Sequence, residues 1–234
     1  MKIRLGMSPI SWSNDDLPQL GGETPLEVCL AETRQAGFTG TENGGKFPTE
    51  AGALKSALDD HDLALVSGWY SGTIINNDLA AEIEQITPQL TLFRDVGAQV
   101  IVYGETYETV QNRQERPLAS RPKLADFDVA AYGRRLTALA EHCADFGVPL
   151  TFHHHMGTAV EHETEIDQLM NHTGEAVNLL LDTGHLLFAG GDNAAVIAKY
   201  GSRINHVHTK DIRRDVLTSI NKQFKIDAHT HISF

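Results

Sequence analysis

At 234 residues the chain is long enough to bury a substantial core. Hydrophobic residues make up 41% and charged residues 21%, the balance of an ordinary water-soluble globular protein. Nineteen basic against 31 acidic residues leave a net charge of −12, which argues against nucleic acid and anionic membranes as partners and favours solubility.

Two cysteines, Cys29 and Cys143, lie far apart in helix-like stretches. They read as buried free thiols of a reducing compartment rather than a disulfide framework. No apolar run approaches transmembrane length, and "MKIRLGMSPISW" lacks the apolar core of a signal peptide. A cytoplasmic location is expected.

Short apolar runs alternate with amphipathic stretches along the chain. Strands are predicted at Ile3–Ser8, Thr39–Asn43, Leu63–Tyr70, Gln99–Gly104, Pro149–His155, Val177–Asp182 and Ile204–Thr209. Helices are predicted at Pro25–Ala36, Glu50–Asp60, Leu79–Val96, Asp128–Phe146, Glu163–Asn171 and Asn193–Tyr200. The first helix carries threonine as N-cap, proline in the first turn and glycine at its exit.

Such alternation implies a parallel sheet, either open and doubly wound or closed as a (β/α)8 TIM barrel. No G-x-G-x-x-G or G-x-x-x-x-G-K-[ST] follows a strand, so the nucleotide signatures of the open class are missing. Polar residues instead mark the strand ends: Ser8, Glu42, Trp69, Glu105, His153, Asp182 and His208. A barrel concentrates its chemistry on that rim, so one barrel domain over residues 1–234 is expected.

The histidines then acquire a geometry. In "LTFHHHMGT" the period of two puts Thr151, His153 and His155 on one face of a strand, and Leu150, Phe152 and His154 on the other. The first face is assigned to the barrel interior. In "INHVHT", His206 and His208 share a face. In "NLLLDTGH", Asp182 closes a run of leucines, where an uncompensated carboxylate would cost several kcal/mol. It is either the cap of a following helix or a ligand. His153, Asp182 and His208 on three successive strands offer a nitrogen-and-oxygen donor set suited to Mn2+, Co2+, Fe2+ or Zn2+.

At these residues the chain resembles inosose dehydratase (2-keto-myo-inositol dehydratase), a family of the xylose-isomerase-like TIM-barrel superfamily. The resemblance rests on "SPISWSNDDLPQLGGETPLE", "QAGFTGTENGGKFP", "LVSGWYSG", "VPLTFHHHMGT", "LLLDTGHLLFAGGD" and "INHVHTKDIRRDVL", in family order from Leu5 to about Leu217. It implies a divalent metal, cobalt or manganese, and loss of water from a polyhydroxylated cyclic ketone. Superfamily members bind the metal through Glu, Asp, His and Glu on four strands. The first three positions fall here on His153, Asp182 and His208, and the fourth belongs on a last strand. Glu42 and His155 become candidate general base and acid, and Lys46 a residue that holds a hydroxyl or steadies an enolate. Trp12, Trp69, Glu105, His185 and Lys210 are candidates for contact with substrate. The resemblance also admits glutathione as a cofactor and a homo-oligomer as the assembly.

After Leu217 the segments no longer follow the family, and "TSINKQFKIDAHTHISF" stands as an atypical tail over residues 218–234. Its alternation from Phe224 to Phe234 predicts a closing strand that offers His229 or His231 towards the fourth ligand position. A foreign tail without a role is the alternative, and its H-x-H also resembles the first strand of amidohydrolases. Two other functions compete with dehydration: a sugar isomerase or epimerase using the same enediolate, and a catalytically dead truncated homologue.

Overall fold

The computed structural model describes residues 3–113 and 115–224. Seven parallel strands form one sheet in the order of the chain: β1 (Gly6–Met7), β2 (Gly40–Asn43), β3 (Ala64–Gly72), β4 (Ile101–Glu105), β5 (Leu150–His153), β6 (Asn178–Asp182) and β7 (Ile204–His208). Helices cross between them: α1 (Leu26–Gln35), α2 (Ala51–Asp59), α3 (Leu79–Val96), α4 (Val129–Asp145), α5 (Glu163–Asn171), the pair α6 (Thr183–Phe188) and α7 (Asn193–Tyr200), and finally α8 (Arg214–Phe224). All seven predicted strands and all six predicted helices are present, each displaced by a few residues at most.

The first helix starts one residue later than its punctuation suggests. Pro25 takes the cap position with no side-chain bond, while Gly37 closes the exit with φ 90°. Two helices went unpredicted. Six-residue α6 follows Asp182 directly, and α8 continues through residues that read as the start of a tail. The predicted closing strand lies outside the described residues, apart from Phe224, which ends α8.

The sheet curls because its two faces differ. Outward residues Leu65, Ile101, Tyr103, Leu150, Phe152, Leu179 and Leu181 pack with Ile86, Leu90 and Phe93 of α3, Leu136 and Leu139 of α4, and Ile166 and Leu169 of α5. Burying a leucine side chain in that layer contributes roughly 1.5–3 kcal/mol. Cys143 belongs to the same layer, and both cysteines are buried and unpaired. The inward face carries polar residues: Glu42, Ser67, Thr151, His153, Asp182, His206 and His208. Among the described residues no strand joins β7 to β1, and no helix is long and apolar enough to cross a membrane.

Candidate metal centre

The polar interior is assembled by period two along β5, β6 and β7. On β5, Phe152 packs outward against Tyr103, their rings 6.0 Å apart, so His153 turns inward. His153 Nε2 lies 3.2 Å from His208 Nδ1 and 3.4 Å from Asp182 Oδ2, and His208 Nδ1 lies 3.5 Å from the same oxygen. Three ligand atoms on three successive strands thus meet at one point, within 4.8 Å of one another.

Asp182 caps the following helix with one oxygen and turns the other towards the histidines. Its Oδ1 accepts the backbone N–H groups of Gly184 at 3.1 Å and His185 at 2.9 Å, capping α6. Its Oδ2 faces the histidines and accepts from the Lys210 ammonium. Burial works to raise this carboxyl, but the bonds to His153 and His208 hold it far below the usual carboxylate range. It is an anion with one oxygen on the helix cap and the other facing His153, His208 and the Lys210 ammonium.

His154 faces the other way and is fully buried, with its Nε2 accepting the Asp182 backbone N–H at 3.2 Å. It therefore fixes the start of the turn that presents Asp182. Burial pushes the His154 imidazole down to about 4, keeping it neutral.

His155 lies beyond the strand on the inner side, its ring 3.8 Å from that of His185 and 5.9 Å from Trp69. Its Nδ1 lies 2.7 Å from the Met156 carbonyl. A carbonyl can only accept, so Nδ1 carries the hydrogen and Nε2 keeps its lone pair. Burial pushes this imidazole to about 4 as well. Trp69 forms the wall of the cluster, 5.4 Å from His153. Its ring lies over Gly104, where an added Cβ would come within 2.1 Å of the indole.

Glu42 reaches the cluster from β2. Its Oε1 accepts from Ser67 Oγ at 2.6 Å and lies 3.1 Å from His206 Nε2 and 2.9 Å from His208 Nε2. Burial opposes ionisation of Glu42, but the bonds from both histidines and Ser67 hold its carboxyl well below the ordinary range. His208 stands between two carboxylates. Burial lowers its pKa, yet Asp182 and Glu42 together raise it to about 9.

Of the residues singled out in the sequence, the fold brings together Glu42, Trp69, His153, His155, Asp182, His185, His208 and Lys210. Three others are bonded elsewhere. Trp12 is half-buried, with its indole N–H donating to Glu32 of α1. Lys46 donates to the Gly21 and Thr24 carbonyls, tying two loops together. Glu105 lies on the helix-facing side of β4 with Tyr103, accepting from the Tyr103 hydroxyl and the Ile75 N–H at 3.1 Å each, and from the Tyr107 N–H at 3.2 Å. In this structure the side chains of Trp12, Lys46 and Glu105 therefore do not join the cluster. Sequence reasoning paired His206 with His208 but gave it no partner. Its bond to Glu42 spans 164 positions and had no sequence signal.

The donor set fits a first-row divalent ion. Two imidazoles and one carboxylate supply three protein ligands, the number that leaves a coordination position for substrate or water. Buried His153 Nδ1 and His185 Nδ1 also lack a hydrogen-bond partner, so the cluster holds more polar atoms than its own bonds satisfy.

The sequence matches the family model of the xylose isomerase-like TIM barrel over residues 30–233. The chain belongs to this family. The match runs beyond Leu217, where the segment-by-segment resemblance ends. Within this xylose isomerase-like barrel the chain is 52% identical over 217 residues to the rhizopine catabolism protein MocC of Rhizobium meliloti, covering 93% of this chain and 67% of that protein. It is 37% identical over 226 residues to an inosose dehydratase of Geobacillus thermodenitrificans, and 39% identical over 227 residues to one of Clostridium beijerinckii. In each case the alignment covers 95% of this chain and 75% of the relative. Among solved structures, the probable 3-DHS dehydratase AsbF of Bacillus anthracis superposes with a TM-score of 0.68 at 17% identity, covering 94% of this chain and 78% of that one. At that identity the likeness concerns the fold alone.

Proposed function

We propose that the chain is a metal-dependent hydro-lyase that removes water from a polyhydroxylated cyclic ketone, of the kind represented by 2-keto-myo-inositol. The observation that carries this reading is the convergence of His153 Nε2, Asp182 Oδ2 and His208 Nδ1 beside His155, an imidazole with a free lone pair. The inosose dehydratases at 37–39% identity support the reaction class. The relative at 52% identity is named for rhizopine catabolism, so the substrate is assigned only to inositol-related catabolism.

His153, Asp182 and His208 would hold cobalt or manganese, which supplies a Lewis acid for the ketone oxygen and so acidifies the neighbouring C–H. Removal of that proton falls to His155 in preference to Glu42. Glu42 Oε1 is already engaged by three groups, whereas His155 Nε2 keeps a lone pair. The imidazolium so formed then returns the proton to the departing β-hydroxyl, so one residue serves as base and acid in turn. Glu42 orients His208, and Trp69 excludes water from the side of His153 and His155. Lys210 and His185, both beside Asp182, would hold ring hydroxyls of the substrate.

The experiment is to incubate metal-loaded protein with 2-keto-myo-inositol and follow the dione absorbance. Product absorbance that is lost in His155→Ala supports the lyase. Conversion to an isomeric ketose without that absorbance would replace it with an isomerase or epimerase.

A further inference from the structure

We propose that Glu42, His206 and His208 form a second position for a divalent cation, on the edge of the His208 ring opposite His153 and Asp182. The inference uses donor atoms only and does not depend on which substrate the protein acts upon. Glu42 Oε1 lies 2.9 Å from His208 Nε2 and 3.1 Å from His206 Nε2, and the three atoms form a compact group within 4.8 Å. Two ligands on a tetrahedral ion with bonds of about 2.0–2.1 Å stand about 3.3 Å apart. The two Glu42–histidine separations need to open by only a few tenths of an ångström to match that spacing. Two imidazoles and a glutamate are a donor set that suits zinc with one position open.

The backbone favours this arrangement. His206 and His208 are two apart on β7, so both project inward from one rigid strand. Glu42 comes from β2 across the interior, and the Ser67 hydroxyl at 2.6 Å fixes the orientation of its carboxylate. The side chains are partly open, 21% for His206 and 19% for His208, which leaves an entry path.

His208 belongs to both positions through different nitrogens: Nδ1 faces His153 and Asp182, and Nε2 faces Glu42. A neutral imidazole has one lone pair. The two positions are therefore alternatives for a single ion, and the tautomer of His208 selects between them. With the ion on the Glu42 side, His153 and Asp182 are released, and the Lys210 ammonium is left as the cation on Asp182.

The test strips the full chain with a chelator, then titrates it with Zn2+ and Co2+ alone, counting bound metal by elemental analysis and recording the visible spectrum of the cobalt form. The wild type should bind one ion. His153→Ala should still bind one, with an altered cobalt spectrum and affinity reduced no more than about 100-fold. His153→Ala/His206→Ala should bind none, and His153→Ala/Glu42→Gln provides the same test should the first double variant fold poorly by circular dichroism. Complete loss of metal in folded His153→Ala, or undiminished binding in both double variants, overturns the second position. Loss of binding on His206→Ala alone would support it and displace the His153–Asp182 assignment instead, an outcome that separates the two readings without any turnover measurement.

Discussion

Asp182 gives one carboxylate oxygen to the backbone N–H of His185, at 2.9 Å, and keeps the other 3.5 Å from His208 Nδ1. Cap and ligand are thus separable by substitution. Asp182→Asn preserves an oxygen for the α6 cap but removes the charge, so it should retain a near-native melting temperature while the ion moves to the Glu42 group with an altered cobalt spectrum and weaker affinity. Asp182→Ala should shift the ion likewise and also lose about 0.5–2 kcal/mol of stability from the missing cap. Chemical denaturation alongside a cobalt titration measures both, and an unchanged cobalt spectrum and affinity in either variant refute the ligand role.

His153 and His154 are neighbours with opposite duties. His153→Ala should weaken the native metal site at modest cost in stability, although an ion held by the Glu42 group would persist. His154→Ala leaves the buried Asp182 N–H without its acceptor, at a cost of about 1–3 kcal/mol. Its metal stoichiometry should stay near one. Equal effects of both changes on cobalt spectrum and stability would contradict the alternation of faces.

Most of the seven strands were legible as short runs rich in apolar residues bounded by turn residues, whereas β2 (Gly40–Asn43) carries no apolar side chain. The inward placement of His153 and His155 was legible too, since Phe152, next to His153 in the strand, had to reach the helix layer. The inner face of β4 was not legible for a related reason: every residue of the strand is buried, so it shows no alternation of polar and apolar residues, and Glu105 lies on the helix-facing side with Tyr103. The acceptors of Lys46 were not legible because a long side chain on a loop finds them in tertiary structure. Helix α6 escaped because six residues after a strand-end motif give too short a period to read. Helix α8 escaped because the resemblance to inosose dehydratase had already ended within it.

Gly104 offers a test of Trp69 that leaves every polar group in place. An alanine Cβ would stand 2.1 Å from the indole carbon Cη2, so Gly104→Ala must push the ring off its seat beside His153. Overpacking of this kind costs about 1–3 kcal/mol. Turnover should fall more than metal content, and tryptophan fluorescence should report the shift. Unchanged fluorescence and activity would mean that Trp69 does not form the wall of the site.

Glu105 sets a pH dependence separate from the metal centre. Burial raises its carboxyl to about 8, outweighing the bonds it accepts from Tyr107, Ile75 and Tyr103. In the unfolded chain the group returns to its ordinary value near 4.5. Between these two values the unfolded state releases a proton that the folded state keeps, so stability falls as pH rises from about 4.5 to 8 and then levels off. The full contribution amounts to as much as about 5 kcal/mol on a conversion of 1.36 kcal/mol per unit. Denaturation curves at intervals across this range should show the decline in wild type. Glu105→Gln, which cannot ionise, should flatten it even where its absolute stability is lower. A wild-type profile that rises from pH 5 to 8 in parallel with that of Glu105→Gln would show that Glu105 is ionised in the folded protein.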